Sequence, residues 1–155
     1  MTLVFVPVTS SALVAWASGG ALAGRHTGYA ATPGLTTAFD VSDEEEAEHL
    51  ALLVASVAGL AATGRRLVAV VEADTAPGSV EGADFGEVVA ADLPYSCVQS
   101  LFADEADAPG LAEAAGAVWG LELQAAWDHP AVATLLEFAD LLWHGAGEWS
   151  SLGTG

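Results

Sequence analysis

Two short spacings in this chain of 155 residues bring an imidazole and a carboxylate within reach of one another. Glu46 and His49 stand at i and i+3, so on a helix they share one face. Four-helix di-metal proteins place such a pair on each of two helices and add Glu residues from two more. Here only one pair is present and the element pattern gives no bundle. The ordinary reading is an acidic first helical turn with a solvated His nearby. His144 and Glu148 stand at i and i+4, flanked by Trp143 and Trp149. On a continuous helix they would meet beside a Trp-lined pocket able to bind a small ligand or move a proton. Gly145 and Gly147 interrupt that helix, and large apolar side chains usually fill cores or interfaces. Glu46, His49, His144 and Glu148 are thus the acid–base candidates, and Trp143 and Trp149 the candidate binding residues. No metal-ligand set is complete, and neither a metal nor a cofactor is expected.

Other reaction classes fail on residue type. The chain contains no lysine, so a Gly-x-x-x-x-Gly-Lys phosphate loop and Schiff-base or pyridoxal chemistry are excluded. No Gly-x-Gly-x-x-Gly follows a strand. Ser10, Ser11, Ser42 and Ser96 lack the Gly-x-Ser-x-Gly elbow of a hydrolase nucleophile. Cys97 is the sole cysteine, and such a residue is more often a small buried hydrophobe than a nucleophile. His129 precedes Pro130 at a helix start and reads as turn chemistry, while His26 sits in a loop beside Arg25.

Lysine, isoleucine and asparagine are all missing, and Arg25, Arg65 and Arg66 face 21 acids. Those three residue types have A/T-rich codons, so a GC-rich genome depletes them together. The formal charge of −18 therefore reflects missing cations more than added acids. An anionic surface opposes direct nucleic-acid binding and anionic membranes, while a basic protein partner is electrostatically favoured. Residues 3–22 lack the cationic n-region of a signal peptide, no apolar run reaches the length of a spanning helix, and a lone cysteine forms no internal disulfide. A cytoplasmic setting is expected.

The elements that must position these residues follow from local pattern. Leu3 to Val8 is a β-branched first strand. A helix capped by Thr9, Ser10 or Ser11 runs to about Ser18 and stops at Gly19-Gly20. Thr27 to Ala31 is a weaker strand. Thr32-Pro33 opens a short helix that ends near Asp40. Ser42 to Glu45 reads as a capping box, and the acids from Asp43 to Glu46 complement the helix dipole. Ala47, Leu50, Ala51, Val54, Val57, Ala58 and Ala61 keep helical spacing up to Gly64. Leu67 to Val71 is a buried central strand, followed by a loop from Asp74 to Gly86. Glu87 to Ala91 is a strand and Val98 to Ala103 an edge strand. Pro109 to Trp127 and Pro130 to His144 read as helices, and 150–155 as a frayed tail.

The fold class expected is α/β bordering α+β. A single domain over residues 1–149 would hold a mixed sheet of about 4–5 strands against helices, with a helical C-terminal cap.

Val4-Phe5-Val6-Pro7-Val8-Thr9, Tyr29-Ala30-Ala31-Thr32-Pro33-Gly34-Leu35, Asp43-Glu44-Glu45-Glu46 and Leu141-Leu142-Trp143-His144 with Glu148 carry a resemblance. Together they resemble an uncharacterised family frequent in high-GC Gram-positive bacteria. The resemblance implies a strand-turn-helix start, a Thr-Pro helix opening and a closing Leu-Trp-Tyr…Glu-Leu segment. His144 stands where that pattern has Tyr, and Trp149 where it has Leu. It implies one intact domain and supplies no catalytic role.

The function expected is a non-catalytic binding or regulatory domain acting through protein–protein contacts. A homodimer is a further expectation, because Trp119, Trp127, Trp143 and Trp149 all fall in the C-terminal part. The alternatives are a small enzyme using Glu and His acid–base or metal chemistry, and a nucleic-acid mimic built on Asp40, Asp43, Glu44, Glu45, Glu46 and Glu48.

Overall fold

The two apolar runs near Val4 and Val70 lie side by side, from Thr2 opposite Ala73 to Pro7 opposite Val68, and their pairing is the centre of the fold. The computed structural model of the chain describes residues 1–78, 84–105 and 107–152. Its strands are β1 (Thr2–Pro7), β2 (Ala21–Tyr29), β3 (Leu67–Ala73), β4 (Ala76–Pro77), β5 (Glu87–Pro94), β6 (Val98–Ala103) and β7 (Leu142–Gly145). Its helices are α1 (Ser10–Gly19), α2 (Pro33–Ala38), α3 (Glu44–Thr63), α4 (Leu111–Val118), α5 (Leu123–Trp127), α6 (Pro130–Phe138) and α7 (Trp149–Leu152).

The strands form one sheet in the order β4-β5-β2-β1-β3-β6-β7. Every pairing is antiparallel. The expected mixed sheet of 4–5 strands is therefore corrected to seven antiparallel strands among the described residues. The two unforeseen strands, β4 and β7, are the short outermost ones.

Alternation along the central strands sends side chains to two cores. Val4, Val6, Leu67, Ala69 and Val71 pack with Leu13 and Trp16 of α1 and Leu152 of α7. Phe5, Val68 and Val70 face the other way, onto Leu35 of α2 and Ala51, Leu52, Val54 and Ala55 of α3. Covering on both faces explains why Leu67 to Val71 reads as an unbroken apolar run. The next turns of α3 add Val57, Leu60 and Ala61 to a third cluster with Val118, Ala126, Val132 and Leu135. By length and composition alone α3 is apolar enough to cross a membrane, but more than half of it is buried against the sheet and the smaller helices.

Several local expectations hold. Thr9 caps α1 through Ala12 N–H, Thr32 caps α2 through Leu35 N–H with Pro33 behind it, and Gly64 ends α3 in a left-handed conformation. Others are corrected. The cap of α3 is Asp43, which accepts from Glu46 N–H; Ser42 forms no capping box. β2 begins at Ala21, earlier than Thr27, because β5 pairs along it from Pro94 onward. β6 is an inner strand, held between β3 and β7. The long helix expected from Pro109 breaks at Gly120, whose φ of +75° turns its N–H to Ala61 O. The helix expected to reach His144 ends at Phe138, and Leu142–Gly145 pairs with β6 as a strand. Ser150 to Leu152 belongs to α7 with Leu152 buried, so the frayed tail does not begin at 150; residues 153–155 lie outside the described ones. Within the expected loop from Asp74, residues 76 and 77 pair with β5, and 79–83 lie outside the described residues.

Candidate functional site

Two anchors hold the C-terminal edge of the sheet. The Arg66 guanidinium donates to Ala139 O at 2.8 Å, just before β7, and the Tyr95 hydroxyl donates to Ala146 O at 2.6 Å, just after it. Between them β7 lies along β6, with Trp143 opposite Phe102 and Gly145 opposite Ser100.

This placement brings together part of the expected set. The Glu148 carboxylate accepts from Gly145 N–H at 2.5 Å and lies 3.9 Å from His144 Nδ1. A Cβ on Gly145 would stand 3.3 Å from Glu148 Oε2 and 3.8 Å from the Trp143 ring. Carboxylate and indole therefore crowd over one glycine. Trp143 is 63% exposed, its neighbour Leu142 is exposed too, and exposed Phe138 ends the helix before the strand. Trp149 is different: it is partly buried against the core that contains Trp16. Of the two expected binding tryptophans, only Trp143 presents itself to solvent.

Glu46 and His49 are exposed on the first turns of α3. No ion pair or hydrogen bond joins them to each other or to His144 and Glu148 among the described residues. Asp43 and the three glutamates after it are explained by the positive end of the helix. Burial first, then Glu44 and Glu45, pushes the Glu48 carboxyl up. Glu48 also lines an open cleft of about 380 Å³ with Glu44 and Glu72. Among the described residues no three His, Cys, Asp or Glu side chains gather where they could hold a metal ion.

Cys97 is half-buried and burial pushes its thiol up, which disfavours the thiolate. His129 Nδ1 accepts from Ala131 N–H and caps α6, the turn role expected of it. His26 lies on β2 opposite Ala90, not in the expected loop, and its Nε2 bonds with Ala23 O.

Local pattern did not reveal Arg66 as the anchor of this edge. It reads as a cation beyond a helix end, yet it is fully buried. The antiparallel register that sets Leu67 opposite Ala103 also brings Arg66 beside Asp104, so only the strand pairing exposes the relationship.

A family model described as "Family of unknown function (DUF6912)" matches residues 2–152, and the chain belongs to that family. A search of curated proteins and a search of solved structures find no match.

Proposed function

We propose that this member of the family is a non-catalytic binding or regulatory domain that acts through protein–protein contacts. The observation that carries the reading is Trp143, 63% exposed on the terminal strand of the sheet, beside the Glu148 carboxylate. Tryptophan is the residue type most enriched at binding hot spots, and covering a large exposed aromatic is favourable for a partner that fits it. The formal charge of −18 favours a basic partner over nucleic acid or an anionic membrane. A cytoplasmic setting, and a family frequent in high-GC Gram-positive bacteria, belong to the same proposal.

Affinity capture on immobilised wild-type protein, Trp143→Ala and Trp119→Ala tests it. Trp119 is equally exposed but lies between α4 and α5. A partner retained by wild type and Trp119→Ala, and lost by Trp143→Ala, supports the reading. Equal retention by all three, or no partner and no self-association, overturns it.

A second reading, a small enzyme using Glu and His acid–base or metal chemistry, has the 3.9 Å approach of His144 to Glu148 as its observation. Stoichiometric divalent metal found by elemental analysis, lost in His144→Ala, would support it.

A further inference from the structure

We infer that β7 is an acceptor edge: an extended cationic segment of a partner protein adds to it as a further strand, and an Arg or Lys of that segment seats between the Trp143 indole and the Glu148 carboxylate. The inference rests on the protein-contact reading above and names the chemistry and pose of the partner.

The two ends of the sheet are built differently. β4 is two residues long and contains Pro77, which has no N–H to offer an added strand. β7 has no proline, lysine or arginine, and no described strand pairs with its outer side. Gly145 directs its N–H to Glu148 instead of across to Ser100. In an antiparallel ladder the direction of the backbone groups alternates, so Trp143 turns its own N–H and C=O toward the open side. That is the pair of groups a docking strand requires.

The side chains select the occupant. A residue of the added strand opposite Trp143 would stand on the same face as the indole. Gly145, with no Cβ, leaves the space beside that indole to the Glu148 carboxylate. A guanidinium or ammonium there meets an aromatic face and a carboxylate at once. Exposed Glu137 and Asp140 add negative charge in the segment leading into the strand. The arginines of this chain do not supply the cation: Arg66 is buried, Arg65 donates to Ser10, and Arg25 lies on β2, beyond β1, β3 and β6. A second copy would bring the same carboxylates and a further formal charge of −18 against the first, so the occupant is a basic segment of another protein.

The test is a titration of ¹⁵N-labelled protein with a short peptide alternating Arg and Thr, its Asp-and-Thr counterpart, and the Arg-and-Thr peptide methylated on alternate backbone nitrogens. The expected result is saturable binding of the first peptide only, with amide shifts confined to β7 and β6. Trp143→Ala and Glu148→Gln should each weaken it by about tenfold or more. The Gln variant keeps an oxygen for Gly145 N–H, so the edge stays formed. Equal binding of the methylated peptide, shifts spread over the acidic start of α3, no saturation at millimolar peptide, or dimerisation through β7 would each overturn the inference. If these arms fail while Trp143→Ala still loses the captured partner, the protein-contact reading stands and only the strand-addition pose falls.

Discussion

Arg66 and Asp104 form an ion pair in which both side chains are almost completely buried, 1% and 2% exposed. Arg66 Nε donates to Asp104 Oδ1 at 2.8 Å, Nη2 donates to the same oxygen, and the Arg66 backbone N–H reaches Oδ2. The remaining reach of Nη2, to Ala139 O, ties the start of β3 and the end of β6 to the segment that enters β7. No buried side-chain nitrogen or oxygen is left without a partner among the described residues. The pair therefore meets the condition under which buried charges are tolerated.

Breaking this pair from one side should be costly. Asp104→Ala leaves a buried guanidinium unpaired and should lower the unfolding free energy by about 3–5 kcal/mol, read by urea denaturation. The double replacement Arg66→Met with Asp104→Leu should cost far less. Hydrogen exchange should speed up at the β7 amides in the double variant, which loses the Arg66 donor to Ala139 O, and less in Asp104→Ala, which keeps that donor.

The cap of α3 is assigned to a single residue. Asp43→Ala should destabilise by about 0.5–2 kcal/mol, whereas Ser42→Ala should stay within about 0.5 kcal/mol of wild type. Equal losses in the two variants would restore the capping box read from the sequence.

Two glycines should respond in opposite directions to alanine. At Gly28 a Cβ would lie 2.4 Å from Val4 Cγ1 and 3.3 Å from both Phe5 O and Val6 Cγ2. The buried valines have stiff side chains, so Gly28→Ala should cost about 1–3 kcal/mol and lower the melting temperature. Gly116, exposed in α4 with open space around it, should gain about 0.5–1 kcal/mol on substitution.

Tyr29 sets an alkaline limit. Burial, with a smaller contribution from Glu87, pushes its phenol up to about 12 from the ordinary 10.0. A raised phenol means that folding favours the protonated form. Its contribution is complete below pH 10 and is lost as pH rises through 12, because above 10 the unfolded chain binds fewer protons than the folded one. Tyr29→Phe should flatten that part of the stability profile, measured by denaturation at stepped pH, while leaving the ring packed against its neighbours.

Much of the central architecture was legible because its signals are local. Thr9, Thr32-Pro33 and Gly64 mark helix ends through contacts made within a few residues. The apolar runs of β1 and β3 announce strands covered on both faces. The site was legible only as a set of residue types. A helical spacing points to His144 and Glu148, with Trp143 flanking them, yet they come together because β7 is a strand and the turn after it folds Glu148 back onto Gly145.

Composition and local periodicity alone determined the missing cations and the chemistries they exclude, the long helix behind an acidic first turn, and the buried central strands. Tertiary structure decided that Leu142–Gly145 is extended, that the sheet has seven strands among the described residues and that Arg66 is internal. Caps and amphipathic faces are specified by near neighbours in the chain. A four-residue strand and a buried ion pair depend on partners about forty residues away or more, Leu101 for His144 and Asp104 for Arg66, and these exist only once the sheet has closed.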